Sequence, residues 1–370
     1  TFTSVVKVQP FNRTLQDFSM QSSVISAMDI ASPAQLTACP VDLLNATPAS
    51  LNACESCRNI TCHHLLYGNA SQSPIYEQVS KYFASVKTRA PIPESRYIEW
   101  LSNCTDFQRM REYVMEPLSE EEANFSIAFN LIAHEDFERL ERLMRVIYHP
   151  QNQYCIHIDA KASKEMADAT NAFARCFDNV FMVTKRERIV YAGFSRLQAD
   201  INCMRDHLSF SSKWKYLLNT ASTGVPLKTN AELVQILKIY NGANDIEGIY
   251  GEGEKVIKNR FATVWIEDEF SMKKTNISYV APPHDIGIVK GSAYGAFSRD
   301  FVSYALTDQK ALDLLEWSKK TYSPDEHYWA TLHHIWPNPH LNPPGGFRGQ
   351  RSPILHAHDG RAMSLEPIIS

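Results

Sequence analysis

SIAFNLIAHEDFERLERLMRVIYHPQNQYCIHID, residues 126–159, is the stretch whose reading decides the fold. Its first seven residues, Ser126–Ile132, are a short apolar run fit for a buried strand. Phe137, Leu140, Leu143, Met144 and Ile147 then recur at helical spacing, and Pro150 ends that helix. Tyr154–Ile158 is a second apolar strand. The alternation continues with a helix over 162–175, a strand at Val180–Val183, a helix at Ser195–Leu208 and a strand at Trp214–Leu218. Strands alternating with helices imply an α/β domain with a mostly parallel central sheet covered on both faces. Ligands of such sheets bind beyond the carboxyl ends of the strands.

The residues just past those ends are therefore the first candidates for a site. They are His134, Glu135 and Asp136 after the first strand, Asp159 after the second, and Lys185-Arg-Glu-Arg188 with Tyr191 after the third. Each has an ordinary reading as a helix cap, loop residue or solvated charge. Gathered at one sheet edge, they describe a polar, partly acidic cleft. No G-x-G-x-x-G follows the first strand, and neither a P-loop nor a G-x-S-x-G is present, which argues against dinucleotide, P-loop nucleotide and serine-hydrolase chemistry.

Farther on, Val225–Asn230 opens a helix over 231–239, and Asn241–Lys258 is polar and glycine-rich and reads as a mobile loop. Ile286–Phe297 reads as a strand in which Gly291 and Gly295 permit either close approach of a ligand or a bulge. Helices over 299–306 and 309–319 lead to Thr321–Leu332, TYSPDEHYWATL. There Ser323 suits an N-cap, Pro324 the first helical position and Glu326 the third. A glutamate so placed can be a general base. Ser-x-x-Glu is also a capping box, in which the glutamate ties off backbone N–H groups. The local sequence leaves both readings open.

Residues 1–122 differ in texture. They hold Cys39, Cys54, Cys57, Cys62 and Cys104 and read as a stem with a disulfide-pinned, irregular cap. Sequons at Asn12, Asn45, Asn59, Asn69, Asn103, Asn124 and Asn276 surround and follow that cluster. They point to an oxidising secretory lumen and argue against zinc or redox chemistry at Cys54-x-x-Cys57. No run of 18 apolar residues occurs, and the first residue is threonine, so any membrane anchor is expected upstream of this chain. A formal net charge of −4 gives no electrostatic case for nucleic acid as a partner.

IAFNLIAHED, HPQNQYCIHIDAKA, CFDNVF, VYAGFSRLQADINCM, WKYLLN, VPLKTN, KGSAYGAFSRDFV and TYSPDEHYWATL together resemble the β-1,6-N-acetylglucosaminyltransferases that build branched O-glycans, the core 2 and I-branching enzymes. Peptide xylosyltransferases are more distant relatives. The resemblance runs from about residue 123 to 333 and implies three regions: a luminal stem at 1–122, a catalytic domain at 123–344 and a divergent tail at 345–370. It implies a GT-A-type fold on a Golgi-luminal, type II membrane protein. The implied reaction is inverting transfer of GlcNAc from UDP-GlcNAc to the 6-hydroxyl of GalNAc or galactose on glycoproteins. The family needs no metal or other cofactor, and Asp268 in Glu267-Asp-Glu269 is a poor metal candidate.

By matching motif positions, the resemblance implies that Glu326 is the catalytic base. Ile132, His134, Asp159 and Tyr191 would contact the uridine nucleotide, and Glu247 with Lys255 would meet the acceptor. It also implies Cys155–Cys203 and Cys104–Cys176 bridges, leaving Cys39, Cys54, Cys57 and Cys62 unassigned.

The sequence departs from the family pattern in three places. Gly224 stands where the family has an aspartate, Ala221 where it has a cysteine, and 345–370 lack its basic diphosphate-holding pair. Arg348, Arg351 and Arg361 are the cations at hand in that tail. Two further readings thus stand beside the transferase: a truncated, inactive member that binds glycans or a partner, and a peptide O-xylosyltransferase.

Overall fold

The computed structural model describes residues 90–249 and 252–348, without the side chains of 252–256. The four cysteines at 39–62, the sequons Asn12, Asn45, Asn59 and Asn69, the Lys255 side chain, and Arg351 with Arg361 lie outside the described residues. Apart from Ala90, the described residues belong to a compact unit that begins at Pro91.

Three short helices come first: α1 (Glu94–Trp100), α2 (Cys104–Met110) and α3 (Glu120–Ala123). β1 (Ile127–Ala133), α4 (Phe137–Ile147), β2 (Gln153–Ile158), α5 (Lys164–Ala174), β3 (Val180–Met182), α6 (Phe194–Phe210) and β4 (Tyr216–Ala221) follow in strict alternation. Then come α7 (Asn230–Tyr240), β5 (Asp245–Ile246), α8 (Glu252–Phe261), the hairpin β6 (Thr263–Glu267) and β7 (Met272–Ser278), β8 (Gly295–Ser298), α9 (Arg299–Thr307), α10 (Gln309–Ser318) and α11 (Asp325–His333).

The main sheet runs β3-β2-β1-β4-β8-β5, with β6 and β7 forming a separate two-stranded sheet. Pairings from β3 through β4 are parallel, whereas β8 runs antiparallel to both β4 and β5. The α/β class with a mostly parallel sheet is thus present. Alternation along β1 sorts the core into two layers. Ile127, Phe129 and Leu131 face a layer made with Phe137, Leu140 and Met144 of α4, Phe173 of α5 and Leu233 of α7. Ala128 faces the opposite layer, with Leu197, Ile201 and Met204 of α6, Phe301 of α9 and Trp329 of α11. The parallel strands are buried along most of their length, which is why they read as continuous apolar runs.

The expected boundary at residue 122 moves. Tyr97 of α1 packs edge-on against Phe137 at 4.9 Å, and Phe107 of α2 does so against Phe173 at 6.2 Å. Arg111 pairs with the buried Glu141 at 2.6 Å, and the Cys104–Cys176 disulfide ties α2 to the end of α5. Residues 91–122 are therefore part of the packed domain. Their helices are too short to show a sustained apolar period. The boundary at 344 moves as well, because Phe347 N–H donates to the His333 carbonyl at 3.0 Å and the Phe347 ring packs on His334 at 5.3 Å.

Two other segments differ from expectation. The second half of the expected mobile loop is helix α8, which ends in Arg260 and Phe261. Most of 286–294 is not a strand; His284 and Asp285 take left-handed backbone conformations just before it, Lys290 forms an isolated bridge with Ile249, and the Ala293 carbonyl accepts from Asn219 Nδ2 of β4 at 2.8 Å.

Candidate active site

Helix α11 presents Glu326 in its first turn, but not as part of a capping box. The N-cap position is Pro324, no side chain caps the helix, and Ser323 is left-handed at φ 47°. Ser323 contributes its carbonyl, which accepts the Glu326 N–H at 3.1 Å. The Glu326 carboxylate turns away from the helix end. Its Oε2 accepts from Arg260 Nη2 at 2.7 Å and lies 3.0 Å from Lys290 Nζ. Arg260 is the penultimate residue of α8, and Lys290 directly precedes Gly291.

Both cations are largely buried, while the Glu326 side chain is 37% exposed and open to a ligand. Burial works against the charged carboxylate, but Lys290 and Arg260 outweigh it and hold its pKa below the ordinary glutamate value. His327, next in sequence, is a poor alternative base. Burial, then the charges of Arg260 and Lys290, push it down to about 3, and its Nε2 is 3.0 Å from Thr321 Oγ1 in the interior.

Gly291 lets these elements meet. A Cβ there would stand 2.3 Å from the Glu247 carbonyl oxygen and 2.6 Å from Ala330 Cβ. Its N–H donates to the Glu326 carbonyl at 2.8 Å. The close approach expected of this glycine is thus to the protein's own backbone. It also places half-buried Glu247 beside the helix that carries Glu326.

On the other side lie the loops after β1, β2 and β3. Ile132 is half-exposed at the end of β1, where its carbonyl accepts the Ser222 N–H at 3.0 Å. His134 is exposed, with Nε2 3.3 Å from Glu135. Asp159 is buried; its Oδ1 accepts the Lys161 N–H at 2.8 Å and the Ile189 N–H at 3.4 Å, and so ties the loop after β2 to the loop after β3. Arg186 reinforces the tie by donating to the carbonyls of Ile158 at 2.9 Å and Asp159 at 2.6 Å. That framework projects Tyr191, which is 88% exposed and free to stack on a ring.

The loops join the helix when the Ala192 carbonyl accepts the Ser323 N–H at 2.8 Å. The hairpin reaches the same place, because Glu267 Oε2 accepts the Ser195 N–H at 3.1 Å at the start of α6. Asp268 is occupied within its turn, accepting from Phe270 N and Ser271 N at 2.8 Å each and pairing with Lys273.

The core-2/I-branching enzyme family model matches residues 127–350. The chain belongs to the core-2/I-branching enzyme family. It is 40% identical over 275 residues to the human β-1,3-galactosyl-O-glycosyl-glycoprotein β-1,6-N-acetylglucosaminyltransferase 3, covering 74% of this chain and 62% of that protein. It is 44% identical over 237 residues to the human N-acetyllactosaminide β-1,6-N-acetylglucosaminyl-transferase, covering 63% and 59%. A β-1,3-galactosyl-O-glycosyl-glycoprotein β-1,6-N-acetylglucosaminyltransferase of bovine herpesvirus 4 is 40% identical over 275 residues, covering 74% and 62%. The chain thus spans about three fifths of the length of these relatives.

In this member of the core-2/I-branching family, both described cysteine pairs are bridged, Cys104 to Cys176 and Cys155 to Cys203. The second lies fully buried and joins β2 to α6. Among the described sequons, Asn103, Asn124 and Asn276 are exposed, although Asn103 also caps α2 by accepting the Asp106 N–H at 3.2 Å. Sequence reasoning missed the two cations on Glu326. Arg260 sat past the edge of the supposed loop, and Lys290 was read as a strand residue; the available signal was a lysine directly before a glycine in KGSAYG. Arg348 does not join the site, since it is exposed and donates to Asn342 at 3.0 Å.

Proposed function

We propose that this chain is the catalytic region of an inverting, metal-independent β-1,6-N-acetylglucosaminyltransferase. It moves GlcNAc from UDP-GlcNAc to the 6-hydroxyl of GalNAc or galactose on an O-glycan. The observation that carries this reading is the Glu326 carboxylate, part-exposed and held between Arg260 and Lys290. Family membership and relatives whose names state β-1,6-N-acetylglucosaminyl transfer support it.

In the step, the acceptor oxygen attacks the anomeric carbon as its proton passes to Glu326. The bond from that carbon to the diphosphate breaks, and UDP leaves with the electron pair. By motif position we assign Tyr191, Asp159, His134 and Ile132 to the nucleotide and Glu247 and Lys255 to the acceptor. Because the carboxylate is ion-paired before acceptor binds, the incoming hydroxyl must compete with Lys290 or Arg260 for Glu326. The displaced cation then remains beside the developing charge. β4 ends at Ala221, and Ser222-Thr-Gly224 just after it carry no acidic pair that would hold a metal, so leaving-group charge falls to side chains and helix N-termini.

The sequons and disulfides support a Golgi-luminal setting for a glycosylated protein with an N-terminal membrane anchor; among the described residues no helix is long and apolar enough to cross a membrane. Purified protein should transfer GlcNAc from UDP-GlcNAc to Galβ1,3GalNAc or to N-acetyllactosamine at the same rate with and without EDTA. Activity abolished by EDTA and restored by Mn²⁺ would show the donor site to be misassigned.

A further inference from the structure

The β6–β7 hairpin is separate from the main sheet, and its two outer edges differ. On the β6 side the Trp265 N–H donates to the Lys320 carbonyl at 3.0 Å, so the segment leading to α11 covers that edge. β7 pairs with β6, and no strand among the described residues takes its other edge. An open strand edge is a template for pairing with another chain unless charge, proline or a covering group blocks it. Lys273 and Lys274 supply charge to the first half of β7. From Thr275 to Pro283 no Asp, Glu, Lys or Arg occurs.

Asn276, Ile277 and Ser278 are all exposed. Alternate residues of a strand point to opposite faces, so β7 is open on both faces there. Ile277 and, just beyond the strand, Val280 are 63% and 67% exposed. This uncharged half of the edge is where a second copy could pair, and it is where the sequon Asn276-Ile-Ser lies.

The three described sequons are engaged differently. Asn103 Nδ2 donates to Asp106 Oδ2 at 2.6 Å in the cap of α2, and the next residue, Cys104, is bridged to Cys176. Asn124 Nδ2 donates to the Glu120 carbonyl at 3.0 Å at the end of α3. The Asn276 carboxamide makes no hydrogen bond among the described residues. An N-linked glycan replaces one of the two N–H donors of a carboxamide. At Asn103 and Asn124 it would share the nitrogen with a bond the fold already uses, whereas at Asn276 it displaces nothing.

We propose that Asn276 carries an N-linked glycan that covers the uncharged half of β7 and keeps two copies of this chain from pairing through that edge. The bond forms between Asn276 Nδ2 and the anomeric carbon of a lipid-diphosphate-linked oligosaccharide. The nitrogen loses a proton, and the lipid diphosphate leaves with the electron pair. The proposal rests on the secretory-lumen reading and uses no part of the catalytic assignment.

The test produces the chain through the secretory pathway of cultured animal cells. Peptides are mapped after peptide-N-glycosidase treatment in heavy-oxygen water, which marks every asparagine that bore a glycan. Sedimentation gives the association state of the parent, of Ser278→Ala, and of Ser278→Ala combined with Ile277→Lys. The first variant destroys the sequon but leaves Asn276 in place, and the second restores charge to the edge. Folded parent trimmed by an endoglycosidase is run beside them, so the result does not depend on a variant folding. The parent should be marked at Asn276 and monomeric. Ser278→Ala should lose that mark alone, keep the parental melting temperature and shift to dimers or larger species, as should the trimmed parent. Ile277→Lys should return Ser278→Ala to monomer.

An unmarked Asn276 with other sequons marked overturns the proposal while the luminal reading stands. So does a Ser278→Ala protein or trimmed parent that stays monomeric, or an association that Ile277→Lys leaves in place. If no sequon is marked, the luminal reading falls and the proposal with it.

Discussion

Ala192 and Ser323 meet in left-handed backbone conformations, at φ 59° and 47°, and the Ala192 carbonyl accepts the Ser323 N–H at 2.8 Å. Neither residue is glycine, so each conformation costs about 1–2 kcal/mol that the surrounding structure must offset. The bond joins the loop carrying Tyr191 to the helix carrying Glu326, the two elements that the proposed mechanism needs in register. Ala192→Val puts a β-branched side chain at positive φ and should destabilise by more than about 1 kcal/mol. Ser323→Gly relieves strain but loosens the unfolded chain, and should leave stability within about 1 kcal/mol of the parent. Thermal melts of the two variants check this; equal losses would show that the left-handed geometry carries no strain.

Glu326→Gln keeps the shape of the side chain and removes its basicity. Turnover should fall by about 10²-fold or more, with UDP affinity nearly unchanged. Stability should fall by no more than about 1–2 kcal/mol, because the lost ion pairs are open to water on the Glu326 side. Initial rates and melting curves measured together make the test, and an active Glu326→Gln protein would remove Glu326 from the chemistry.

The parts of the fold that were legible are those whose burial is continuous. β1 and β2 are buried nearly throughout, so their apolar runs read directly as strands. The β6–β7 hairpin went unread because its residues are mostly half-exposed or exposed and its second strand, MKKTNIS, is polar. Helix α8 was hidden by Gly251 and Gly253 at its start. At the site, Glu326 was visible because it sits in a distinctive local motif. Its partner Arg260 is 66 residues away in sequence, and no local pattern announces a contact made by tertiary packing. The capping box failed for a related reason: Ser323 is drawn into its bond with Ala192, which bends the chain away from capping geometry.

The Glu326 carboxyl is held below its ordinary value of 4.5 by Lys290 and Arg260, against the effect of burial. A group whose folded pKa is depressed contributes stability above its unfolded value, and that contribution is lost as pH falls through the folded value. The acid limb of the kcat/KM profile should accordingly lie below about pH 4.5 in the parent. Lys290→Met removes one of the two cations and should move that limb upward. A limb that stays in place after Lys290→Met would mean that Glu326 does not govern it.

Reduction should act on the two bridges in order of exposure. Cys104–Cys176 joins a half-exposed residue to a buried one, whereas Cys155 and Cys203 are both fully buried. Mild reductant should open the first while the second persists until the domain unfolds. With sequence separations of 72 and 48, each bridge contributes about 4 kcal/mol in the chain-entropy model. Alkylation and peptide mapping across a reductant series would show the order, and simultaneous labelling of all four cysteines would contradict it.

Gly291→Ala tests whether the placement of Glu326 depends on backbone contact. The added methyl would lie 2.3 Å from the Glu247 carbonyl and 2.6 Å from Ala330 Cβ, and neither neighbour is the far end of a flexible side chain. Either the segment carrying Glu247, just past β5, or helix α11 must move. Overpacking of this kind costs about 1–3 kcal/mol. The same movement would stretch the 2.8 Å bond from Gly291 N–H to the Glu326 carbonyl and shift the base from its position between Lys290 and Arg260. A displacement of about 1 Å at a reacting group can lower a rate by about 10²-fold. Gly291→Ala should therefore lose far more turnover than its melting temperature explains, with UDP affinity intact because Tyr191 and Asp159, the proposed nucleotide contacts, stand on other elements. Loss of stability with full activity in the folded fraction would show that α11 does not need this contact to place Glu326.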